Sequence, residues 1–149
     1  MSDDFSHLDA GGGARMVDVG RKPEAQRMAR AEGWLRCRPE TIAALRARAL
    51  PKGDVLTVAQ IAAIQAAKRT DELIPLCHSL PLDGVEVTFE VAESAIRIQA
   101  KVTTTAKTGV EMEALAAVSV AALTLYDMCK AVDKTMQIDG IRVTEKFKQ

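Results

Sequence analysis

Polar and apolar residues alternate in two adjacent stretches of this chain. Val85, Val87, Phe89 and Val91 alternate with Glu86, Thr88 and Glu90, and Ile96, Ile98, Ala100 and Val102 alternate with Arg97, Gln99 and Lys101. A period of two predicts half-buried strands, and Ala92-Glu-Ser-Ala between them has the length of a hairpin turn. Upstream, Ala31-Glu-Gly-Trp-Leu-Arg-Cys-Arg also ends in alternation and predicts a strand. Pro39 then suits the first turn of a helix running to Leu50, broken by Pro51-Lys-Gly-Asp. Asp54 is placed to cap a second helix from Val55 to about Arg69. Pro75 and Pro81 frame an extended, stiff loop, Leu73 to Leu82. Residues 107–134 hold a long helix, uncharged from Ala114 to Tyr126, and Met136–Val143 predicts a last strand.

The order is strand, helical region, strand, strand, helix, strand. It predicts an α+β fold, a ferredoxin-like β-α-β-β-α-β sandwich with the first helix doubled and the helices on one face of an antiparallel sheet. The other face, with the polar residues of 85–91 and 96–102, is expected to be solvated or oligomeric. With 149 residues the chain reads as one domain, 1–149. Residues 1–30, with Gly11, Gly12 and Gly13, read as a flexible N-terminal arm. Its basic residues Arg21, Lys22, Arg27 and Arg30 fit either a solvated tail or an arm folded over an anionic ligand.

Composition narrows the function. Twenty basic and twenty acidic residues cancel, which argues against a nucleic-acid binder relying on bulk charge. Aromatics at 3% leave little for base stacking. Three cysteines without Cys-x-x-Cys spacing point to a reducing cytoplasm. The uncharged run is too short to cross a bilayer and predicts a core helix, so no membrane role is expected.

The long helix carries its ionisable groups at its tips, Glu111 and Glu113 at the start and Asp127 and Lys130 at the end. Asp127 and Lys130 share a face. Glu113 and Asp127 are fourteen residues apart, roughly 21 Å along the axis, too far to meet at one reacting atom. Either the two tips do different jobs, or each site joins opposite tips from neighbouring subunits. The plain alternative is a solvated Asp–Lys pair and acidic residues favouring a helix N-terminus. In the Pro-framed loop, Cys77 and His78 would point opposite ways and make a poor joint metal site. His78 suits contact with a ring or a phosphate, or is simply structural. Lys52, before the Asp54 cap, is a solvent charge or an ammonium suited to phosphate or acid–base work. No Walker or Gly-x-Gly-x-x-Gly sequence is present.

Six segments then combine: Met16-Val-Asp-Val, Lys52-Gly-Asp-Val-Leu, Ala66-Ala-Lys-Arg-Thr, Leu73-Ile-Pro-Leu-Cys-His, Lys107-Thr-Gly-Val-Glu-Met-Glu-Ala-Leu and Leu125-Tyr-Asp-Met-Cys-Lys-Ala-Val. Together they resemble the cyclic pyranopterin monophosphate synthase (MoaC) family of molybdenum-cofactor biosynthesis. The resemblance implies a ferredoxin-like subunit in a homo-hexamer, a trimer of dimers with sites at subunit interfaces. It implies conversion of 3′,8-cyclo-7,8-dihydroguanosine triphosphate to the cyclic pyranopterin monophosphate with loss of pyrophosphate. No cofactor and no metal for redox chemistry is implied. By this resemblance Asp127 is the active-site carboxylate, and Lys130 and Lys52 are acid–base lysines. Leu76, Cys77, His78, Met112 and Glu113 match substrate contacts, Glu111 a further pocket carboxylate, and Arg27 and Lys146 basic residues near the triphosphate.

The chain departs from the family pattern at Ser79, where Pro is usual, at Gln60 and Ala63, where Arg and Gly are usual, and at Ala25, often Thr. It ends Glu145-Lys-Phe-Lys-Gln, without the family's Gly-Gly-Lys-Ser-Gly loop. That ending motivates an alternative, a non-catalytic nucleotide- or pterin-binding oligomer.

Overall fold

The computed structural model describes residues 5–48 and 54–149. In chain order its elements are β1 (Ala25–Arg36), α1 (Pro39–Arg46), α2 (Val55–Lys68), α3 (Thr70–Leu73), β2 (Leu82–Val91), β3 (Ala95–Ala106), α4 (Glu111–Cys129) and β4 (Gln137–Lys148). The strands form one sheet in the order β2-β3-β1-β4, with every neighbouring pair antiparallel. This is the ferredoxin-like arrangement expected from the alternating pattern, with α2 and α4 packed against one face.

The first strand begins six residues earlier than the alternation indicates, so the irregular arm ends before Ala25 rather than at residue 30. The reason is Arg27. It pairs with Thr104 in the same register that sets Ala29 opposite Val102, and so sits on the helix-facing side, where a charge disguises the period. The residue is 9% exposed, and its guanidinium donates from Nε to the Ala106 carbonyl and from Nη2 to that of Lys107. The last strand likewise runs five residues beyond the predicted Val143. Two register shifts against β1 and a positive φ at Gly140 break its alternation. Helix α1 stops at Arg46, and Arg48 turns left-handed at φ 55°.

Between sheet and helices lies the core. Ala29, Ala31 and Leu35 of β1 and Ile96, Ile98 and Val102 of β3 are buried against Ala114, Ala117, Val118, Ala121 and Leu125 of α4. Gly33 is required for this approach, because a Cβ there would lie 2.6 Å from Val118 Cγ1. Alanines 59, 63, 66 and 67 bury the matching side of α2. Burial on two sides explains why α4 is apolar nearly all round. By length and apolarity α4 would suit a membrane span, but half of it is buried inside this fold, where it serves as the core helix.

Beyond α4 the chain is pinned by Asp133, which is fully buried. Its carboxylate accepts from the Arg38 amide at 3.0 Å, the Thr41 hydroxyl at 2.8 Å, and the Thr135 amide and hydroxyl at 2.8 and 2.7 Å. Burial alone would raise its pKa. The hydrogen bonds outweigh that and hold it well below the usual carboxylate range. This knot ties the α4 end to the β1–α1 junction and so fixes the turn carrying Lys130. On the opposite sheet face Glu32 holds Arg97 at 2.7 Å and Arg142 at 2.6 Å, beside Trp34.

Candidate active-site cleft

At the first turn of α4 a cleft of about 340 Å³ opens between three segments distant in sequence. The Pro-framed loop contributes Leu76, Cys77 and His78, and the α4 entrance contributes Thr108, Gly109, Glu111 and Met112. The third wall is the arm, through Ser6, His7, Val17, Asp18, Val19 and Lys22. A cavity of similar size, about 350 Å³, lies beside the start of α2, with Arg46, Arg48 and Asp54 in its lining.

Each wall is held by identifiable bonds. His78 Nε2 lies 2.5 Å from the Val17 carbonyl; a carbonyl only accepts, so this nitrogen carries the proton and fastens the arm to the loop. Lys107 Nζ donates to the Gly20 carbonyl at 3.3 Å. Within the arm, Asp9 Oδ1 accepts from the Gly11 and Gly13 amides at 2.9 and 2.8 Å, closing the glycine turn, and Leu8 bridges to Ala14. The glycines form a closed turn.

Behind Cys77 lies Glu113, 3% exposed. Cys77 Sγ is 3.9 Å from Glu113 Oε2, while Glu113 Oε1 is buried without a hydrogen-bond partner among the described residues. Burial raises the Glu113 pKa, against the pull of its own backbone N–H, and the Glu111 charge adds to the rise. Burial and then the Glu113 carboxylate push the Cys77 thiol up to about 11, so it is an un-ionised wall rather than a nucleophile. Glu111 is paired with Lys146 Nζ at 3.3 Å.

Leu76, Cys77, His78, Glu111 and Met112 therefore meet in one cleft, with Glu113 and Lys146 adjoining. Arg27 is bound to two backbone carbonyls at the sheet end. Asp127 and Lys130 form an ion pair of 2.8 Å at the far end of α4, each about half exposed. The hydrogen bond that Lys130 donates to Asp127 raises the Lys130 pKa and keeps the ammonium protonated. Lys52 lies outside the described residues. Missing from the sequence-based set are His7 and Asp18, and Lys22 reads there only as one of the arm's basic residues. The Met16-Val-Asp-Val segment and the basic run after it were the available signals, and the glycines beside them read as slack chain.

A split β-α-β sandwich with a cleft at a helix tip, lined by apolar side chains together with acid, base and thiol groups, fits the class of small-molecule-binding α+β proteins. The MoaC family model matches residues 16–148, and the chain belongs to this family. It is 59% identical over 146 residues to a cyclic pyranopterin monophosphate synthase of Chloroflexus aggregans, covering 97% of this chain and 88% of that protein. It is 56% identical over 143 residues to a protein of that name from Novosphingobium aromaticivorans, covering 96% and 91%. A molybdenum cofactor biosynthesis bifunctional protein of Chlorobaculum tepidum is 59% identical over 143 residues; the match takes in 96% of this chain and 46% of that longer protein.

Proposed function

We propose that this chain is a cyclic pyranopterin monophosphate synthase, an enzyme of molybdenum-cofactor biosynthesis acting as a phosphorus–oxygen lyase in the cytoplasm. Its substrate is 3′,8-cyclo-7,8-dihydroguanosine triphosphate, and its products are the cyclic pyranopterin monophosphate and pyrophosphate. The observation that carries this reading is the convergence of Leu76, Cys77, His78, Glu111 and Met112 on one cleft. Loop and helix segments more than thirty residues apart supply the positions that the family resemblance marks for substrate.

The chemistry divides between the ends of α4. Opening and reclosing rings at aminal and carbonyl carbons needs proton donors and acceptors, for which a lysine held as ammonium by Asp127 is suited. Closing a cyclic phosphate while pyrophosphate leaves needs positive charge at phosphoryl oxygens. Glu113 Oε1, buried without a hydrogen-bond partner among the described residues beside Cys77, supports the substrate contact that the resemblance assigns to Glu113. Fourteen residues of helix separate Glu113 from Asp127, roughly 21 Å, so one reacting atom cannot touch both in a single chain. A complete site then takes the α4 start of one copy and the α4 end of another, in a homo-oligomer with the hexameric trimer-of-dimers form.

The test is to incubate the chain with the cyclised GTP intermediate and follow pyrophosphate and pterin product. Stoichiometric product is expected, and its absence at high enzyme concentration overturns the reading. Mass in solution tests the assembly, with a stable monomer counting against it.

A further inference from the structure

The chain has two histidines, seventy-one positions apart, and both line the same cleft. They are committed differently. His78 spends Nε2 on the Val17 carbonyl and so holds the arm. His7 directs Nδ1 at the Arg15 carbonyl, 3.3 Å away, and its Nε2 has no partner among the described residues.

This ring is held by a built support. The Arg15 amide donates back to the His7 carbonyl at 2.8 Å, and Arg15 Nε donates to the Ser6 carbonyl at 3.1 Å. The Asp9 turn closes the loop between them, with the Asp9 amide donating to the Gly13 carbonyl at 2.8 Å. Residues 7–15 are thus a small hairpin that presents one imidazole edge at the cleft wall.

Charge decides what that edge meets. On the arm wall Lys22 has no carboxylate within ion-pair distance among the described residues, and the Ser6 hydroxyl lies on the same wall. The arm's one carboxylate in the lining, Asp18, accepts the Gly20 amide at 2.8 Å. Opposite, Glu111 is already neutralised by Lys146. With Asp18 occupied by the Gly20 amide, Lys22, Ser6 and the His7 edge make the arm wall the donor-bearing side, suited to phosphoryl oxygens.

We infer that His7 is a substrate-contacting residue of this cleft, a phosphate-oxygen ligand presented by the 7–15 hairpin. As an imidazolium it keeps Nδ1–H on the Arg15 carbonyl and donates Nε2–H to the anion, with Lys22 as a second cation. That the anion is the substrate's triphosphate rests on the function proposed above; the site itself is tested with simple anions.

Calorimetric titration of the full chain with inorganic triphosphate and, separately, with unphosphorylated pterin tests this. His7→Ala weakens triphosphate binding about 10- to 100-fold, the value of one charge-assisted hydrogen bond, and leaves pterin affinity unchanged. His7→Gln, which retains an N–H donor, recovers part of the loss. Asp9→Ala, which frees the two amides closing the turn, weakens triphosphate binding without altering pterin binding. Equal triphosphate affinity in the wild type and His7→Ala overturns the inference, as does no triphosphate binding by the wild type or an equal loss of both ligands. Turnover of the cyclised GTP intermediate by the wild type is measured separately. Turnover with His7-independent triphosphate binding refutes only the role of His7, whereas His7-dependent binding without turnover refutes only the proposed reaction.

Discussion

Cys77 Sγ lies 3.9 Å from Glu113 Oε2, a thiol from a proline-framed loop against a carboxyl from the first turn of α4. Desolvation by the surrounding core raises the pKa of both; the Glu113 carboxylate pushes the thiol up further, whereas the thiol's hydrogen bond to Glu113 offsets part of the carboxyl's rise. The result is a cleft backing in which the thiol stays un-ionised and the carboxyl binds its proton more tightly than a free glutamate.

Stability should record this. With the Glu113 pKa raised above its ordinary 4.5, the folded chain holds the proton more tightly than the unfolded chain. That contribution is complete below about 4.5 and is lost as pH rises through the folded pKa. Glu113→Gln removes the titration, so its melting temperature minus that of the wild type should rise as pH increases above about 4.5 and level off once the folded pKa is passed. A difference that stays constant with pH in scanning calorimetry would contradict the assigned shift.

Asp133 behaves with the opposite sign. Its pKa is depressed, so its stabilisation is present above 3.8 and is lost as pH falls toward the folded value. Asp133→Asn leaves donors facing an amide nitrogen and should cost about 2–4 kcal/mol in urea unfolding at pH 7. The gap between variant and wild type should narrow at pH 3. Equal costs at both pH values would show that geometry rather than charge holds the knot.

At the other end of α4, Lys130→Ala should lower turnover by about 10²–10⁴-fold. Melting should barely change, because half-exposed ion pairs such as Asp127–Lys130 contribute under about 1 kcal/mol. If sites are shared between copies, co-folding Lys130→Ala with Glu111→Ala chains restores activity in about a quarter of the sites, the statistical share for random pairing of two chains. A mixture as inactive as its components would place each site within one chain.

Gly109 is packed under the Glu111 carboxylate, and a Cβ there would lie 2.1 Å from Oε1. The flexible end of Glu111 would swing away, so Gly109→Ala should spare stability while breaking the Glu111–Lys146 contact. A loss of roughly 10- to 100-fold in kcat/KM is expected for a displaced pocket group. Steady-state kinetics that match the wild type would remove Glu111 from the site.

Sequence alone determined the fold class, because Val85–Val91 and Ile96–Val102 state a period of two and the run from Ala114 to Tyr126 demands burial on several sides. It also marked the two ends of α4, since charge at the tips of an apolar helix needs no structure to be seen. Tertiary structure decided what those groups are for. Arg27 looked like a basic residue of the arm or of a triphosphate site because side-chain chemistry is visible in sequence, but its partners, two carbonyls at the sheet end, are long-range. His7 looked slack because three glycines are locally permissive, and only the closure by Asp9 and the bond from His78 to Val17 turn that segment into a wall. Periodicity is written along the chain, but desolvation, pairing and the orientation of a ring arise only where distant segments meet.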